Sequence, residues 1–156
     1  MAFKLSKRSL ARLEGVHPKL QEVAKLAIEQ TKVDFGITCG TRTIAEQEEN
    51  VRTGRSQTMN SKHLPQEDGY SHAIDCVAYV GKDVCWEVQV YDEIADAIVQ
   101  AARDVGLPIR WGCAWHIPDL RQHNGSMEDA YNAYVDLRRS QGKRPFIDGP
   151  HFEIAS

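Results

Sequence analysis

Long apolar runs are missing from this chain of 156 residues. Without a stretch of membrane-spanning length, stable insertion into a bilayer is excluded. The residues from Met1 to Arg8 carry positive charge but no apolar segment follows them, so an ordinary secretory signal peptide is not expected. The expected location is therefore the cytoplasm, until some release event. A basic excess is also missing: the net charge is −3, which gives no electrostatic reason to expect nucleic acid as a partner. Arg138, Arg139, Lys143 and Arg144 form a local basic stretch, read as the solvated end of a helix. Cysteine is limited to Cys39, Cys76, Cys85 and Cys113, with no Cys-x-x-Cys. Free, buried thiols are favoured over disulfides or metal ligands. Cys113 and His116 form one Cys-x-x-His pair, but no second pair accompanies it to complete a zinc knuckle. Internal repeats, linkers and low-complexity tracts are absent, and the length suits one domain, residues 1–156, with a core that needs no disulfide staples.

What is present is a mixture of helical and strand patterns. Pro18 suits a first helical position, and Leu20, Val23, Ala24 and Ala27 recur on one face behind it. Phe35, Ile37 and Cys39 alternate as in a short half-buried strand. Thr43 and Glu46 predict a capping box for a helix running towards Arg52, with Gly54 as its left-handed stop. Residues 55–72 read as an exposed polar loop. A strand from Ala73 to Val80 follows, then a turn over Gly81, Lys82 and Asp83 and a returning strand near Val84 to Trp86. Val90, Ile94, Ala97, Ile98 and Ala101 mark a helix closed by Gly106 and Pro108. Ile109 to Trp111 forms a strand entering a long loop. Ser126 and Asp129 cap a further helix, with Ala130, Tyr131 and Tyr134 facing inward. An Asp148-Gly149-Pro150 turn then leads into a last strand, His151 to Ile154. No regular βαβ alternation appears, so the expected fold class is α+β: a small domain with a mostly antiparallel sheet flanked by helices.

Three dispersed residues have zinc-ligand chemistry: His63 at the end of the polar loop, Asp75 in a strand, and His151 in the last strand. Catalytic zinc takes three protein ligands of this kind and keeps one position open. A period of two puts His151 and Glu153 on one face and Phe152 and Ile154 on the other. Asp75 lies between Ile74 and Cys76, where a carboxylate requires a cation, a hydrogen-bond network or an open face. Spacing alone leaves open both a metal site and a set of unrelated polar residues.

The ordered segments Ser61-Lys62-His63, Ser71-His72-Ala73-Ile74-Asp75 and Asp148-Gly149-Pro150-His151-Phe152-Glu153 resemble the motifs of the VanY/VanX-type zinc peptidases, of the DD-peptidase/hedgehog-like fold. The nearest branch is the phage endolysins with L-alanyl-D-glutamate peptidase activity. Gly40-Thr41-Arg42-Thr43, Gln47, and Arg110-Trp111-Gly112 ahead of Trp115 extend the resemblance over nearly the whole chain. It implies Zn2+ held by His63, Asp75 and His151, Asp148 as catalytic carboxylate, and Arg42 facing the substrate. It further implies a hydrolase that cuts the peptidoglycan stem peptide between L-alanine and D-glutamate, reaching the wall through a permeabilised membrane; a monomer is expected. The segment from Leu64 to Tyr70 lengthens the spacing from the first histidine to the aspartate and makes His72 a rival ligand to His63. Glu153 is a candidate to support His151, or a surface residue. Alternatives are a D-alanyl-D-alanine carboxypeptidase or dipeptidase, and a non-catalytic zinc-binding module that recognises cell wall.

Overall fold

A computed structural model describes residues 3–155. The chain order is α1 (Lys7–Arg12), α2 (Pro18–Gln30), β1 (Asp34–Cys39), α3 (Ile44–Arg52), β2 (Ala73–Val80), β3 (Asp83–Cys85), α4 (Val88–Val105), β4 (Ile109–Gly112), α5 (Met127–Ser140) and β5 (Asp148–Ile154), with a 3-10 turn at Leu120–Gln122. The five strands form one antiparallel sheet in the order β1-β2-β5-β4, and β3 joins β2. The α+β expectation holds.

Local chemistry sets most boundaries. Thr43 Oγ1 accepts from Glu46 N while the Glu46 carboxylate accepts from Thr43 N, the reciprocal box that starts α3; such a cap contributes about 1 kcal/mol. Ser126 caps α5 by accepting from Asp129 N. Gly106 ends α4 at φ 81°, a conformation that costs a side-chain-bearing residue energy. Helix α4 buries Tyr91, Ile94, Ala95, Ile98, Ala101 and Ala102, and it packs on both α2 and the sheet. Each fully buried isoleucine or tyrosine of that face contributes roughly 1.5–3 kcal/mol. On the sheet, Phe152 stacks on Trp111 within the same core.

Four details differ from the sequence reading. β3 covers Asp83–Cys85, because the β2–β3 hairpin uses the two-residue loop Gly81-Lys82 with Val80 opposite Asp83. Tyr131 is only half-buried, and Val135 completes the inward stripe of α5. The polar loop is pinned at two buried residues, His63 and Ser71. Arg42 N donates to His63 O, and Ser71 links to Gly15 and His17 through the backbone.

The fourth difference concerns the site. Asp148-Gly149-Pro150 is not a turn: β5 begins at Asp148. Trp111 is opposite Phe152 while Gly112 is opposite Asp148, so three extra residues of β5 bulge between the two pairs. Gly112 permits this approach, since a Cβ there would lie 2.0 Å from the Asp148 carbonyl oxygen. A bulge of this kind re-aims the side chains beside it.

Candidate metal centre

Register assembles the site. Asp75 on β2 faces Cys39 on β1 across one edge and His151 on β5 across the other. A bulge after Ile37 brings Cys39, rather than Thr38, opposite Asp75. Three neighbouring strands thus carry a thiol, a carboxylate and an imidazole in one row. The pinned end of the polar loop adds His63 from outside the sheet.

Asp75 is the shared member of the array. Its Oδ2 lies 3.3 Å from His63 Nε2, and its Oδ1 lies 3.1 Å from His151 Nδ1. The two imidazole rings meet edge to face at 5.3 Å. Two overlapping triples have ligand atoms within 4.8 Å of one another: Cys39, His63 and Asp75, and Asp75, Asp148 and His151. Either group has the donor chemistry to hold a metal ion. His63, Asp75, His151 and Asp148, all singled out by the sequence, meet through Asp75, and the expected ligand set of His63, Asp75 and His151 is divided between the two triples.

The proton accounting favours a cation between them. His63 Nδ1 lies 2.8 Å from Gly40 O, a carbonyl that only accepts, so Nδ1 carries the hydrogen. In neutral His63 the buried Nε2 then presents a lone pair to the Asp75 carboxylate, and it has no hydrogen-bond partner. Two acceptors face each other, an arrangement that a proton or a metal ion resolves. His151 repeats the pattern, with Asp75 at Nδ1 and Glu153 Oε1 2.9 Å from Nε2. A carboxylate on the second nitrogen of a metal-binding histidine fixes its tautomer and raises its basicity.

The titration behaviour follows. Burial opposes charge on His63, but Asp75 and Cys39 outweigh it and push the imidazole up to about 10. Burial likewise opposes charge on His151, and Asp75 with Glu153 pushes it up to about 9. Burial would raise Asp75, yet the two histidines hold its carboxyl well below the usual carboxylate range. Asp148 moves the other way: burial and then the charge of Asp75 raise it, with His151 and His63 partly offsetting them. A carboxyl that keeps its proton more readily suits general acid–base work.

Arg42 is held at the margin of this array. Its Nη1 donates to Gln47 Oε1 at 2.7 Å and its Nη2 lies 3.4 Å from Cys39 Sγ. Gln47 is fully buried and donates in turn to Ser56 Oγ and Thr58 O. The rival His72 is turned elsewhere: its Nε2 pairs with Asp68 at 2.8 Å and its ring meets His17 edge-on. Glu153 is buried on His151 and lies 3.7 Å from Lys62 Nζ, which removes the surface reading. Cys113 is buried and His116 stacks on Tyr134, so they do not form a site. All four cysteines are free; Cys76 and Cys113 are buried, but Cys39 and Cys85 are only partly so.

Sequence reasoning missed two features. Cys39 is expected from the sequence to be a free, buried thiol, and only the strand register reveals its neighbours. Trp115 lies 5.7 Å from the His151 ring, with Phe146 beyond it at 6.3 Å and Arg110 over its face. Its buried Nε1 has no partner. No local pattern marks a tryptophan as a site wall.

A sheet that gathers two imidazoles, two carboxylates and a thiol beside an arginine defines the class: a candidate metal-dependent hydrolase. Comparison with known proteins is more specific. The family model for phage L-alanyl-D-glutamate peptidase matches residues 1–155, and the chain belongs to that family. It is 32% identical over 158 residues to the L-alanyl-D-glutamate peptidase of Escherichia phage T5, covering 99% of each chain. Among solved structures it resembles the Serratia marcescens L-Ala D-Glu endopeptidase ChiX, with a TM-score of 0.72 and 32% identity, over 99% of this chain and 91% of that one. None of the described helices is long and apolar enough to cross a membrane.

Proposed function

We propose that the chain is a zinc-dependent peptidoglycan hydrolase, an endolysin that cleaves the stem peptide between L-alanine and D-glutamate. The observation that carries the chemistry is Asp75 shared between His63 and His151, with Asp148 beside them. The names of the full-length relatives supply the bond. In this reading His63, Asp75 and His151 hold the metal, and the imidazole and carboxylate donors suit zinc. Residues 1–156 act as one catalytic domain and as a monomer, reaching the wall once the membrane is permeabilised.

Bound zinc supplies Lewis acidity and lowers the pKa of water at the site. Asp148 takes the proton of the attacking water and passes it to the departing amide nitrogen; its raised pKa suits the second role as well as the first. Arg42, steadied by Gln47 and Cys39, offers a planar cation to the oxygen on which negative charge develops or to a substrate carboxylate. Glu153 keeps His151 in the tautomer that directs Nδ1 towards Asp75. Trp115 and Phe146 form an aromatic wall against which the peptide lies.

The test is digestion of purified peptidoglycan by the zinc-loaded protein, with the new termini identified by mass spectrometry. New L-alanine C-termini and D-glutamate N-termini are expected. Released D-alanine without them would replace this reading with a D-alanyl-D-alanine carboxypeptidase, and no cleavage at all would leave a binding module.

A further inference from the structure

A second carboxylate outside the metal centre is buried without compensation. Asp92, in the second turn of α4, is 7% exposed, and its Oδ1 has no hydrogen-bond partner. It lines a cleft of about 520 Å³ between α4 and α5, together with Glu87, Val88, Gln89, Glu128, Tyr131 and Asn132. Glu87 occupies the N-cap position of α4 yet makes no side-chain cap bond. Glu128 is exposed on the first turn of α5. The lining residues include three carboxylates and no cation.

We propose that this cleft binds a primary alkylammonium group, with Asp92 as the buried counter-charge and Glu87 and Glu128 at the rim. A buried carboxylate without a counter-charge is costly, and an ammonium supplies both the charge and a hydrogen-bond donor. Burial, reinforced by Glu128, Asp96 and Glu93, pushes Asp92 up to about 7, as expected for a carboxylate whose counter-ion is missing.

The cleft's construction favours an organic cation over a metal ion. Among the described residues, the sets of three ligand atoms close enough for one ion all lie at the sheet, and none includes Glu87, Asp92 or Glu128. The volume falls within the range typical of small-molecule sites, roughly 300–1,000 Å³. Val88 and Tyr131 contribute apolar surface to the lining, which suits the methylene chain of an alkylammonium. An alkylammonium of this kind is carried by free diamines and by lysine-like side chains of peptides.

The experiment is an NMR titration of the isotopically labelled, zinc-loaded protein with cadaverine, with Nα-acetyl-lysine-methylamide, with its norleucine analogue and with calcium chloride. Saturable shifts at amides 87–92 and 127–132 are expected with an amine and not with the norleucine analogue. A response to cadaverine alone assigns a free diamine, and a response to the lysine amide assigns a peptide source. Asp92→Asn is expected to weaken binding by at least about tenfold, and the exposed Glu128→Gln by a few-fold. No saturable amine shift, undiminished binding in both variants, or a response to calcium alone would each overturn the proposal. Glu128→Gln keeps the test decisive if Asp92→Asn fails to fold.

Discussion

Asp75 and Asp92 are both aspartates held in regular secondary structure and largely removed from water, yet their surroundings drive them in opposite directions. Asp75 lies between two imidazoles, and its carboxyl is held far down. Asp92 is driven up to about 7 by burial and then by the carboxylates of Glu128, Asp96 and Glu93. Burial opposes ionisation at both places; at Asp92 the neighbours add to it, and at Asp75 they overturn it. Charge buried with counter-charge preorganises a centre. Charge buried without it marks a place whose partner comes from outside.

The contrast is broken most forcefully at the metal centre. Asp148→Ala is expected to retain zinc while its rate on peptidoglycan falls by about 10²–10⁴, measured by turbidity loss alongside metal analysis. Near-normal turnover would remove Asp148 from its role. Next in size is the histidine pair. His63→Ala is expected to lower zinc affinity by orders of magnitude, whereas His72→Ala, which loses contacts with Asp68 and His17 outside the array, keeps a full equivalent. Metal lost from the His72 variant and kept by the His63 variant would reverse the ligand assignment.

The smallest effect sharpens the other side. Because the folded-state pKa of Asp92 lies above its unfolded value, its contribution to stability is intact below about pH 4 and is lost as pH rises towards 7. Asp92→Asn is expected to flatten that decline and to exceed the wild type at pH 8 by on the order of 2 kcal/mol. Denaturant unfolding at pH 5 and pH 8 measures it; an equal gap at both pH values would point to packing instead.

What the sequence made legible depended on the range of the signal. The capping box of Thr43 and Glu46, the Gly106 stop and the helical spacing that marks α4 are short-range patterns, and they stand as read. The start of β5 was misplaced because Gly149 and Pro150 have turn chemistry, while the bulge that extends them depends on Gly112, 36 residues earlier in the chain. His63, Asp75, His151 and Asp148 were legible through ordered motifs. Cys39 was not, because its position is a matter of register with β2, and a one-residue bulge decides whether it or Thr38 faces Asp75. Asp92 was hidden for a related reason: on a helical wheel it is an ordinary polar residue, and only the packing of α5 encloses it.

The excursion from Leu64 to Tyr70 ends where it begins. Gln66 N donates to Tyr70 O, Gly69 N to Gln66 O, and Pro65 bridges to Ser71, while His63 is anchored separately through Arg42. The segment is thus a side-branch closed at its base, and the imidazole it follows has an anchor of its own. For protein engineering this makes the tip near Glu67 and Asp68 a natural point for grafting. A peptide tag or wall-targeting sequence inserted there would extend into solvent, leaving the tethered histidine where it is.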